Sequence, residues 1–210
     1  MQAFIDETVS IGQIVNDGGK ETYYVAGSGL LVGLNEHKGV IVTAKHVVFD
    51  PAQGWHPSQL MVRFSWQEHK SNTEELGVPL ILVDSGGKNL WSSASDGADV
   101  VVIPFPDADP KAQGVNAKVN AAWPGLFGTD DDLYDGAQVI ILGFPVLMGQ
   151  EYLVRPIVRS GIVAWTNPDE PANKPFLVDA NLYPGNSGGP VFRLATGIDR
   201  EVMHLLYQAL

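Results

Sequence analysis

Short runs of β-branched and aromatic residues recur along the whole chain, each closed by a cluster of Gly, Pro, Asn or Asp. That is the pattern of antiparallel strands separated by turns. It predicts strands near 8–15, 22–34, 39–44, 60–66, 78–83, 99–105, 137–144, 157–164, 176–181 and 190–194. Almost no segment carries the i, i+3, i+4, i+7 apolar stripe of a long amphipathic helix, so the predicted class is all-β. The exception is 201–210, where Val202, Leu205, Leu206 and Ala209 fall on helical spacing among good helix formers. A short C-terminal helix is predicted there. The stretch 107–132, with Pro110, Gly114, Pro124, Gly125 and Gly128 and little strand pattern, is expected to connect two β lobes.

Composition narrows the class. With 210 residues, 45% of them hydrophobic, the chain can bury a substantial core as one domain, 1–210. There is no cysteine, which excludes disulfide scaffolds, thiol nucleophiles and cysteine-based zinc sites. A formal charge of -11 without a compensating Lys/Arg cluster argues against a nucleic-acid partner. No apolar run approaches the roughly 18 residues needed to cross a bilayer, and the first thirty residues lack a leader pattern. The expectation is a chain without a membrane span, cytoplasmic by default.

Three short segments carry candidate chemistry. Pro184-Gly185-Asn186-Ser187-Gly188-Gly189-Pro190-Val191 sets one hydroxyl among glycines that permit unusual backbone angles. Such a loop can aim the amides of Gly185 and Ser187 into one pocket, where they would stabilise an oxyanion. Thr43-Ala44-Lys45-His46-Val47-Val48 places His46 where a strand ends and a turn begins, accessible to substrate on a fixed backbone. Asp99 stands immediately before the apolar strand Val100-Val101-Val102-Ile103, and a carboxylate there needs a partner. Asp96 suits the Ser95-Asp96-Gly97 turn better. His37, His56, His69 and His204 read as ordinary surface or core residues.

The order His46, Asp99, Ser187 is that of chymotrypsin-type enzymes, unlike the subtilisin and α/β-hydrolase orders. Here the sequence resembles the trypsin-like serine proteases, and most closely their cysteine-free bacterial Deg/Htr branch. The matching blocks are Gly27 to Val32, Thr43 to Val47, Asp99 to Ile103, Gly143-Phe144-Pro145, Ser160 to Val163 and Asp179 to Val191. The resemblance implies two antiparallel β-barrels, the first over about 1–115 and the second over about 125–210, with the site in the cleft between them. It implies a polypeptide substrate, no cofactor and no metal, with His46 as general base, Asp99 as its orienting carboxylate and Ser187 as nucleophile. Asn181, six residues before the serine, would be the floor of the primary specificity pocket, which predicts small or apolar side chains there rather than Arg or Lys. The uncharged Asn186 offers no ion pair to a freshly cut N-terminus, so zymogen activation of that kind is not expected.

Other readings fit less well. Gly185 to Gly189 satisfies G-x-S-x-G, but that elbow must lead into a helix with its Asp and His following the serine. The acidic run Asp130-Asp131-Asp132 lacks calcium-loop spacing, since Tyr134 stands where an oxygen ligand is needed, and reads as a solvated turn. Gly27-Ser28-Gly29 reads as a bend or close backbone contact in a strand pair. The alternative of another class is a catalytically weak or inactive protease-like binding module. It is favoured by the short stretch after Ser187, which predicts an incomplete second barrel whose open strand edge invites self-association.

Overall fold

The computed structural model describes residues 2–35, 38–64, 78–105, 120–146, 155–167, 176–194 and 203–206. A short helix, α1 (Gln2–Glu7), leads into β1 (Thr8–Asp17), β2 (Lys20–Asn35) and β3 (Lys38–Ala44). A single turn, α2 (Lys45–Val48), precedes β4 (Gln59–Phe64), β5 (Val78–Ile81), β6 (Ser92–Ser93) and β7 (Val100–Phe105). The second half contributes β8 (Gln138–Gly143), β9 (Ile157–Thr166), β10 (Phe176–Asp179), β11 (Val191–Leu194) and β12 (Met203–Leu206). All ten predicted strands are present where they are described; 65–66, His37, His69 and the first half of the 107–132 connection, 107–119, lie outside the described residues.

The strands form two antiparallel sheets, ordered β5-β4-β1-β2-β3-β7-β6 and β10-β9-β8-β11-β12. The first curls toward closure: β5 runs on into Leu82 and Val83, which meet Asn89 and Leu90, just ahead of β6, through a Val83 to Asn89 bridge and a Leu90 N–H donated to Leu82 O. Alternation along β4 buries Leu60, Val62 and Phe64, which join Val9, Ile11, Ile41, Leu80, Val101 and Ile103 in the first core. Leu30, Val42, Ile140, Leu142 and Phe192 form a second core between the sheets, closed by Phe4 of α1 against Phe192. Val139, Ile141, Val163, Phe176 and Val191 fill the third core, inside the second sheet.

The C-terminal helix is corrected. Residues 203–206 are a strand, pairing antiparallel with β11 from Val191↔Leu206 to Leu194↔Met203. Helix preference is worth only tenths of a kcal/mol per residue and an isolated helix this short is marginal, so the backbone hydrogen bonds offered by the free edge of β11 win. Among the described residues, β10 and β12 each pair on one side only, so the second sheet is open. Among those residues no helix is long and apolar enough to cross a membrane.

The α1–β1 junction buries two carboxylates, Asp6 and Glu7. Burial first, and the neighbouring Asp6 second, push Glu7 up to about 7, and its Oε2 has no hydrogen-bond partner. As pH rises from about 4.5 toward 7 the unfolded chain ionises Glu7 while the folded chain keeps it protonated, so stability falls over that window and stays lower above it. Glu7→Gln is expected to raise Tm by about 4–8 °C at pH 8, an offset of roughly 2 kcal/mol, and by almost nothing at pH 4. Thermal melts at the two pH values check this; an equal gain at both would contradict it.

Candidate active site

His46 stands on α2, the single turn that follows β3. Ala44, which precedes the turn, offers no side-chain cap. Asp99 supplies one from β7's leading end: its backbone O accepts the Lys45 N–H at 3.1 Å and its Oδ1 accepts the His46 N–H at 3.0 Å. Its Oδ2 meets His46 Nδ1 at 2.5 Å. One carboxylate therefore holds both the backbone and the ring of the same histidine, which directs the Nδ1 proton to Asp99 and leaves Nε2 with its lone pair outward. Both side chains are nearly half exposed, at 41% and 46%. Asp96 instead closes its own turn, accepting the Ala98 N–H ahead of the left-handed Gly97.

The 184–189 loop hangs from the second sheet and is pinned against the first. Pro184 O accepts the Val146 N–H at 2.7 Å, and Asn186 O accepts the Gly189 N–H at 2.9 Å. Peptide groups are planar and, among the described residues, none is cis, so tying these two carbonyls inward turns the amides of Gly185 and Ser187 the other way. Neither amide donates a hydrogen bond within the described chain. Two backbone donors without a partner among the described residues, one on the buried Gly185, are groups an anionic oxygen can satisfy.

Ser28 is the functional residue that sequence reasoning missed. Its N–H donates to Ser187 O at 2.7 Å, its Oγ donates to Gly185 O at 2.7 Å, and the same Oγ accepts the Phe144 N–H at 2.8 Å. It is fully buried on β2. The close contact expected around Gly27-Ser28-Gly29 thus exists, but it is made with the Ser187 loop as well as within the sheet. A side chain at Gly27 would lie 2.9 Å from Ser187 O and 2.5 Å from Val47 Cγ2. These contacts bring the Ser187 backbone beside α2, which carries His46. The available signal was a hydroxyl inside an apolar strand, which must find partners. Ser28→Ala is expected to cost about 2 kcal/mol, because Gly185 O and Phe144 N–H lose their partner, and to lower any turnover at Ser187 more than binding there. Urea unfolding with parallel kcat and KM measurements checks it; unchanged kcat would show that the loop holds its shape unaided.

Asn181 is exposed and lines an open cavity of about 560 Å³ on the second sheet, with Gln138, Ser160, Ile162, Asp179 and Leu194. The acidic run is only in part the solvated turn expected: Asp131 is exposed, but Asp132 is not. Asp132 is buried, pairs with Arg193 of β11 and accepts hydrogen bonds from Thr129 N–H and Oγ1. It fastens the connection to the second sheet. His56 is exposed, as an ordinary surface histidine.

Comparison with known proteins follows the same line. A family model described as the trypsin-like peptidase domain matches residues 27–197. A curated relative, a probable periplasmic DegP-like serine endoprotease of Halomonas elongata, is 29% identical over 154 residues, covering 65% of this chain and 31% of the relative. A solved structure of an HtrA-type protease, AlgW with decapeptide, superposes at a TM-score of 0.52 and 15% identity, covering 96% of this chain and 60% of that one. That likeness is one of fold. The chain therefore spans about a third of the curated relative's length and three-fifths of the solved chain's.

Proposed function

Because the chain belongs to the trypsin-like peptidase domain family, we propose that it is a serine-type peptidase domain of the Deg/Htr type and hydrolyses peptide bonds of polypeptide substrates through His46, Asp99 and Ser187. The observation that carries this reading is the two-point grip of Asp99 on His46. A serine hydroxyl is a weak nucleophile until a neutral imidazole takes its proton, and the bond to Asp99 leaves Nε2 as the atom that can do so. Ser187 Oγ attacks the substrate carbonyl carbon, His46 takes the proton, and the carbonyl oxygen becomes an anion facing the open amides of Gly185 and Ser187. His46 then protonates the leaving amine, and water repeats the sequence on the acyl-enzyme. Asp99 keeps its charge and stabilises the imidazolium. No step calls for a metal or cofactor.

The decapeptide bound to the HtrA-type neighbour supports a polypeptide substrate. We assign residues 1–210 to one peptidase domain, its first lobe ending near 115 and its second beginning near 125. Asn181 itself carries no charge, which fits a specificity position that does not select Arg or Lys, although Asp179 lines the same cavity. One observation favours the second reading, a weakly active protease-like binding module: the His46–Asp99 pair is nearly half exposed, and solvated pairs hold their geometry weakly. Incubation of the purified chain with an unfolded protein substrate, followed by mass spectrometry of the products, decides between the two. Discrete peptides that vanish with Ser187→Ala support the peptidase; intact substrate retained in a complex supports the module.

A further inference from the structure

The second sheet carries two arginines on inward-facing positions, and they are treated differently. Arg193 is neutralised by Asp132. Arg159, on β9, has no carboxylate partner among the described residues; its Nε, like that of Arg193, is buried without a hydrogen bond. It stands opposite Ile141 of the third core, on the same side of the strand as Gly161 and Val163. Over that row the chain after β9's partner is laid in step. Val178 pairs with Val163, and the Ala180 Cβ lies 2.8 Å from where a Gly161 side chain would begin. Next, the Arg159 guanidinium stacks on the Tyr183 ring, Cζ 4.7 Å from its centroid. Asn181 and Leu182 lie between these two contacts. Tyr183 is 44% exposed, and its O accepts the Asn186 N–H at 3.1 Å, which ties it to the turn presenting Ser187.

A guanidinium with one nitrogen withdrawn from water and no counter-charge is poorly compensated, so an anion arriving beside it gains more than at an open surface. Stacking on an aromatic ring fixes the guanidinium plane in advance, and its fork geometry matches a carboxylate. Asp179 does not neutralise it, because Asp179 stands across from Ile162, at a position facing the other side of the sheet. We propose that Arg159, stacked on Tyr183, binds a carboxylate of the substrate beside the scissile bond, from an acidic side chain or from a peptide's free C-terminus. This rests on the reading of the Ser187 loop as the substrate site, and it replaces the apolar preference expected from Asn181 alone with an acidic one. Arg and Lys are then rejected by like charge as well as by the absence of an acid at position 181.

The test is built to read binding without chemistry. In the Ser187→Ala chain, fluorescence anisotropy is measured with one labelled peptide in three forms, ending in Glu amide, Gln amide or Gln free acid. Binding of one or both carboxylate forms about tenfold or more tightly than the Gln amide is expected, and which of them gains identifies the source of the carboxylate. Arg159→Gln should remove that difference, and Arg159→Lys should keep only part of it. Equal affinities for the three forms, a difference that survives Arg159→Gln, or no binding of either carboxylate form overturns the proposal. Carboxylate-dependent binding by Ser187→Ala with no hydrolysis by the parent chain would sustain this inference while removing the peptidase reading.

Discussion

Replacing Ser187 by Ala is expected to lower kcat/KM of the full chain toward a good peptide substrate by about 10⁴- to 10⁶-fold, and His46→Ala by a similar factor. The reason is shared. Without His46 the hydroxyl keeps its proton, and without Ser187 the imidazole has nothing to activate, so each substitution removes the same step. The double variant is therefore expected to be no worse than the poorer single one. Residual turnover in all three reflects binding and the open amides of Gly185 and Ser187, which neither change touches. Multiplicative losses would mean that the two residues act in separate steps.

Gly188→Ala is expected to destabilise the chain by about 4 kcal/mol or more, or to prevent folding. Gly188 has φ +78°, and a Cβ there would run into the Ser28 carbonyl oxygen, Thr43 Oγ1 and, at 2.7 Å, the Ala44 amide. Two of these are backbone atoms on β2 and at the end of β3, which cannot move aside even if the Thr43 hydroxyl rotates away. Gly54→Ala serves as the control, because Gly54 also has positive φ, at +68°, but nothing lies within 4 Å of its Cβ position. That variant should lose only about 1 kcal/mol, the cost of the backbone angle alone. Similar losses in denaturant midpoint for the two would show that the approach of the Ser187 loop to the first sheet is not tight.

The strands were legible because their residue types survive folding: β4 buries Leu60, Val62 and Phe64 and turns Gln59 and Arg63 outward, while β7, apolar throughout, was read from its β-branched run and alternates only in burial. β12 was misread because Val202, Leu205, Leu206 and Ala209 carry a helical spacing, and nothing local announces that β11 will offer an unpaired edge. At the site, the need of Asp99 for a partner was legible, since a carboxylate leading an apolar strand must be satisfied. That it would hold the backbone of His46 as well as its ring was not, because α2 lacks a local cap and the remedy comes from a residue distant in sequence. The bridging role of Ser28 and the stacking of Arg159 on Tyr183 depend on how strands remote in sequence cross. No spacing along the chain encodes that crossing.

The central claim is that Ser187 is a nucleophile activated by His46. Intact-mass spectrometry of the full chain treated with a fluorophosphonate tests it most directly. The expected result is one phosphonyl adduct, mapped to Ser187, formed at least about a thousandfold faster than in the His46→Ala chain and absent from Ser187→Ala. No adduct, an adduct on another residue, or labelling of Ser187 at the same rate without His46 would contradict the account.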